Sequence, residues 1–127
     1  MSCWTHITAC FSVETGIVAK KPEVLKQVKS YLKDAPKITG SESDADIFVN
    51  VQTGYDLFGS DGKFQTRVVI SIQGDLRDRM YDQTKKEFDE FLKYIKSKYY
   101  IRDYAVNIER DCWWLENIKK YLSWKKC

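Results

Sequence analysis

The chain has 127 residues, 43% hydrophobic and 31% charged, and its 21 Lys and Arg against 18 Asp and Glu give a net charge of +3. That length supports one core, so a single domain over residues 1–127 is expected, and the composition excludes a disordered chain. No run reaches the roughly 20 apolar residues of a membrane span, so no membrane partner is expected.

Residues 4–13 alternate with period two, with Ile7, Ala9, Phe11 and Val13 on one face and Trp4, His6, Thr8, Cys10 and Ser12 on the other. This is a strand with one apolar face. Pro22 then suits the first turn of a helix whose stripe is Val24, Leu25, Val28, Tyr31 and Leu32. Pro36 and Gly40 to Asp44 read as loop. Residues 45–53 alternate again, with Ala45, Ile47, Val49 and Val51 facing one way and Phe48, Asn50 and Gln52 the other. A loop from Gly54 to Gly62 ends in Asp61-Gly62, a hairpin signal, and residues 64–73 return as a strand. Thr84-x-x-Glu87 is a capping box, which predicts a helix from about residue 85 with Phe88, Phe91, Leu92, Ile95 and Tyr99 as its stripe. A fourth strand is expected over 100–109. Asp111 then caps a last helix over 112–124, with Trp114, Leu115, Ile118, Tyr121 and Leu122 as its stripe.

This order predicts an α+β fold of ferredoxin-like βαββαβ type. It is an antiparallel four-stranded sheet with two helices on one face, plus a C-terminal helix. The second sheet face is open to three readings. The last helix lies across it, two copies pair on it, or it binds a ligand or partner.

The chemistry-bearing residues are few. The one histidine nearly excludes a His-rich metal site. His6 and Cys10, four residues apart in a strand, are about 13 Å apart, too far for a Cys–His pair. No phosphate loop is present, so no enzyme, no cofactor and no metal are expected. The cysteines Cys3, Cys10, Cys112 and Cys127 contain no C-x-x-C pair, and no secretory signal precedes them. Reduced thiols in a cytoplasm are expected, although a bond from Cys3 or Cys10 to Cys112 is geometrically open.

Tyr55, Leu57 and Phe58 stand in a Gly-bounded loop where polar residues are usual. They either cover a sheet end or anchor a protein-binding site. Trp113 and Trp124 lie off the last helix's stripe among lysines and are candidates for the same surface. Trp4, His6, Arg67, Arg77 and Arg79 form the candidate nucleic-acid or ligand set, although the aromatic pattern of RNA-recognition domains is absent.

The opening residues Met1 to Thr8, Met-Ser-Cys-Trp-Thr-His-Ile-Thr, resemble the start of small uncharacterised phage-encoded accessory proteins. The resemblance covers about ten residues and transfers no site. It implies a short protein in the cytoplasm of an infected bacterium that binds and blocks a host factor or defence system. The leading expectation is therefore a non-enzymatic protein, monomer or homodimer, that docks on a host protein. A nucleic-acid-binding module and a nucleotide sponge at a dimer interface are the alternatives.

Overall fold

The computed structural model describes residues 3–52 and 64–112. Six elements follow in chain order: β1 (Cys3–Ala19), α1 (Lys21–Lys33), β2 (Asp46–Gln52), β3 (Phe64–Arg77), α2 (Tyr81–Lys96) and β4 (Tyr100–Cys112). The four strands form one sheet in the order β2-β3-β1-β4, and every neighbouring pair is antiparallel. The fold is α+β, with β1 and β3 at the centre of the sheet.

The alternation seen in the sequence is what builds the core. Ile7, Ala9, Phe11 and Val13 of β1 are buried, and so are Val68, Ile70, Ile72 and Leu76 of β3. Helix α1 presents Val24, Val28 and Leu32 to this layer, and α2 presents Phe88, Phe91 and Ile95. Phe11 is the aromatic hub. Its ring lies 5.7 Å from that of Phe88, 6.0 Å from Phe91 and 5.8 Å from Tyr104. The helices are clasped at their C-terminal ends. There Tyr31 and Tyr94 stack at 4.3 Å, and each hydroxyl donates to the other's backbone carbonyl.

The connection from α1 to β2 crosses the end of β3, and two glycines permit it. A Cβ at Gly74 would stand 2.8 Å from Ala45, and one at Gly40 would stand 2.5 Å from the Ser43 carbonyl. Thr39 fastens this connection to α2, since both its N–H and its hydroxyl donate to the Glu87 carboxylate at 2.8 Å.

Several boundaries differ from the sequence reading. β1 does not stop at residue 13. A register shift between Glu14 and Val18, with Gly16 at φ +68°, lets the strand continue and pair Ala19 with Phe64. A bulge of this kind breaks the period-two pattern without ending the strand. Helix α2 begins at Tyr81, four residues before the expected start, because the Gln83 side chain accepts from the Met80 N–H at 3.0 Å. Thr84 is therefore a buried first-turn residue and not a cap. Tyr99 lies beyond the end of α2 and packs edge-on against Tyr31. β4 runs on to Cys112, so Asp111 sits in a strand and does not cap a helix at 112. The remainder of the expected last helix lies outside the described residues.

The cysteines also depart from expectation. Cys3 is disulfide-bonded, whereas Cys10 is free and exposed. Cys3 has Cys112 as its Cα partner across β1 and β4. Directly opposed residues in an antiparallel ladder are about 4.5–5.5 Å apart at Cα, within the window for a disulfide. Strand pairing brings these two positions together from distant parts of the sequence, which had left Cys3 and Cys10 both open as partners of Cys112.

Three stability predictions follow from the packing. The Thr84 hydroxyl is buried with no hydrogen-bond partner among the described residues. Thr84→Val, which keeps the shape and removes the stranded polar atom, should raise stability by about 1 kcal/mol in urea titration. Phe11→Ala should cost about 3–5 kcal/mol in the same assay, because it empties the hub. The Tyr99 phenol is held above its ordinary pKa of 10.0, first by burial and then by the neighbouring Tyr31 and Tyr94. A raised pKa means that the folded state keeps its proton longer than the unfolded state. The associated stability is complete below pH 10 and is lost as pH climbs through the raised value. Tyr99→Phe should flatten part of that alkaline slope in thermal melts.

Candidate interaction face

The helices cover one face of the sheet, and the other carries the candidate site. The even-numbered residues of β1 line its centre, and the register sets their neighbours. Thr8 lies between Gln73 and Asn107, Cys10 between Ser71 and Ala105, and Ser12 between Val69 and Asp103. On the outer side of β3, Phe48 pairs with Ser71 and Asn50 with Val69. The middle of the face is thus a strip of small side chains, with an aromatic at one side. Phe48 is 54% exposed, the highest value among the apolar residues of β2.

Charge is divided between the two sides of the molecule. None of the four strands contains a lysine. Helix α1 carries Lys21, Lys26, Lys29 and Lys33, and α2 carries Lys85, Lys86, Lys93 and Lys96. Around the small-residue strip stand Asp46, Asp75, Asp103 and Glu109. The arginines on this side are displaced or engaged. Arg77 is paired with Glu42, Arg102 lies 3.6 Å from Glu14, and Arg67 stands at the far end of β3. The net charge of +3 therefore conceals an acidic sheet face and a basic α1, whereas the four lysines of α2 are matched by Asp82, Glu87, Asp89 and Glu90.

The sequence-derived candidates separate on this map. Trp4, His6 and Arg77 meet at one end of the face, where the Arg77 guanidinium lies 5.9 Å from the Trp4 ring centroid. Arg67 is ten residues along the same strand, about 33 Å away. Arg79 is beyond the strand, with its guanidinium 3.4 Å from the Thr39 hydroxyl and from the Asp78 carbonyl. The three arginines thus do not form one basic patch, because the length of β3 separates Arg67 from Arg77, and Arg77 and Arg79 are engaged by Glu42 and Thr39. Tyr55, Leu57, Phe58, Trp113 and Trp124 lie outside the described residues. Ala105 and the ring of carboxylates are what sequence reasoning did not single out, and Phe48 was only one of many outward residues. Period two put Phe48 outward, but only the cross-strand register shows that small side chains surround it.

The face has little catalytic equipment. His6 Nδ1 lies 2.6 Å from an Asp75 carboxylate oxygen, and Glu109 is its Cα partner on the other side. This couple orients the ring, but the Cys10 thiol remains about 13 Å along β1. No group of three or more His, Cys, Asp or Glu suited to a metal ion occurs among the described residues. No helix among them is long and apolar enough to cross a membrane. A cleft between the end of α1 and the start of β2 is lined by Leu32, Ile38, Ala45 and Ile47, with Lys33 and Asp44 alongside. No protein-family model, curated protein or solved structure matches the chain.

His6 and Asp75 are 37% and 74% exposed at their side chains. An ion pair so open to water contributes about 1 kcal/mol or less. His6→Gln should therefore leave the urea midpoint nearly unchanged. Reduction is expected to matter more. Dithiothreitol should lower the melting temperature of the parent protein, and Cys3→Ser should abolish that sensitivity.

Proposed function

We propose that this protein is a non-enzymatic docking module on a ferredoxin-like scaffold, and that its open sheet face receives a basic, partly apolar surface of another protein. The βαββαβ chain order and the β2-β3-β1-β4 sheet order support the scaffold reading. One observation carries the functional reading. A strip of small side chains at Cys10, Ser71 and Ala105 is flanked by the exposed Phe48 and ringed by carboxylates. Small residues let a partner's side chains approach the backbone, Phe48 supplies an anchor, and the acidic rim selects a basic partner and speeds encounter.

The same rim argues against nucleic acid. Phosphates need clustered Lys or Arg, and carboxylates repel them. Base stacking needs aromatics on the central strands, and on the open face of β1 only Trp4 qualifies. Tyr55, Leu57 and Phe58, with Trp113 and Trp124, remain proposed as additional anchors. The resemblance of the opening residues to phage accessory proteins makes a bacterial host protein the proposed partner and its cytoplasm the proposed location. The Cys3 disulfide is unusual for that compartment. The reducing melt above measures how far the fold depends on it.

The test is a tagged pull-down from bacterial lysate, with and without nuclease, repeated with Ala105→Arg. Ala105 is exposed at the β4 end of the strip, so the substitution reaches over the strip without touching the core. A protein retained in both nuclease conditions and lost at least about tenfold with Ala105→Arg, roughly 1.4 kcal/mol of binding, is expected. Retention that vanishes with nuclease would overturn the reading in favour of nucleic acid.

A further inference from the structure

The two edges of the sheet are built differently. β4 carries Arg102, Asp103, Glu109 and Arg110 along its length. Charged residues on an edge are the usual guard against pairing with another chain. β2 has the sequence Asp-Ile-Phe-Val-Asn-Val-Gln, in which Asp46 is the one charged residue. Among the described residues no strand pairs with its outer side.

The side chains of β2 are also incompletely covered. Val51 is buried at 2% exposure, whereas Ile47 and Val49, on the same helix-covered face, are only half-buried. On the opposite face Phe48 is exposed. An unguarded edge with apolar residues left open on both faces is a template for one more strand.

We propose that β2 pairs with β2 of a second copy of this chain, antiparallel and about a two-fold axis at Val49, joining two sheets into one of eight strands. The strand's own pattern fits this register. Val49 meets the partner's Val49 and Ile47 meets the partner's Val51, so the half-buried pair gains cover on the helical side. On the open face Phe48 lies opposite the partner's Asn50. That makes the two Phe48 rings diagonal neighbours, about 7–8 Å apart at Cα and within aromatic reach. Asp46 falls opposite the partner's Gln52, so no like charges oppose each other. Such a contact is isologous and closed, and it builds a dimer and not a fibre. It also sets two copies of the open face side by side, an arrangement that would bind a repeated or two-fold partner more tightly than one copy does.

The register is tested at an exposed position. Gln52 is solvent-exposed and contributes nothing to the core, so changing it leaves the fold in place. Gln52→Lys sets a lysine opposite the partner's Asp46 twice over, and Gln52→Asp sets two carboxylates opposite two carboxylates. Sedimentation equilibrium over protein concentrations up to about 1 mM, the weak end of measurable association, reads all three proteins. The parent chain should form a dimer. Gln52→Lys should tighten it and Gln52→Asp should weaken it, each by at least about threefold, and the difference should shrink in high salt. A monomer at every concentration would overturn the proposal and leave the edge to a strand from another protein. A dimer whose affinity is the same in both variants would also overturn it, because the contact would then lie elsewhere. Neither result bears on docking at the Cys10–Ala105 strip, which the Ala105→Arg pull-down reads separately.

Discussion

Two helices cover only one face of a four-stranded sheet, and the rest of the molecule answers to that constraint. The covered face holds the dry core, in which Phe11 from the central strand meets Phe88 and Phe91 from α2. Each strand must therefore alternate, because a sheet of this kind has one dry side and one wet side. The price appears on the wet side, where a large apolar residue such as Phe48 stays 54% exposed.

The charge distribution follows from the same division. Lysine has a long flexible stem that suits the outer surface of a helix, and every lysine of the six described elements lies in the two helices, whereas the strands carry arginine and no lysine. The strands, by contrast, carry short acidic and small polar side chains on their open side. A nearly neutral chain thus carries an acidic sheet face, a basic α1 and a balanced α2. The proposed preference for a basic partner rests on that acidic face, where the composition alone gave none. The acidic face also sets the sheet apart from nucleic-acid-binding sheets of similar chain order, in which the open face is the positive and aromatic one.

What was legible in the sequence was local. The period of two placed Ile7, Phe11 and Val13 inward and Cys10 and Phe48 outward, and Val24, Val28 and Leu32 marked the buried stripe of α1. What was not legible depends on pairing between distant segments. The register that sets Ser71, Cys10 and Ala105 in one row joins three strands, and no sequence spacing encodes it. The irregularity between Glu14 and Val18 hid the continuation of β1, because four residues of β1 there span two of β3 and interrupt the regular alternation. Arg67 and Arg77 looked like members of one basic set until the length of β3 separated them. Reduced thiols were the leading expectation, with Cys3 and Cys10 both open as partners of Cys112, and only the register of β1 with β4 sets Cys3 opposite Cys112.

The account rests on the sheet face being open to a partner, and Cys10 is a built-in reporter of that. Its thiol is free and exposed at the centre of the strip, between Ser71 and Ala105. The direct measurement is the rate at which Cys10 of the native protein reacts with a maleimide, located by peptide mass spectrometry and compared with the rate in urea. An open face predicts a native rate within about tenfold of the unfolded one, and slowing when a captured partner is added. Native protection of more than about a hundredfold in the protein alone would contradict the account, because the face would then already be covered.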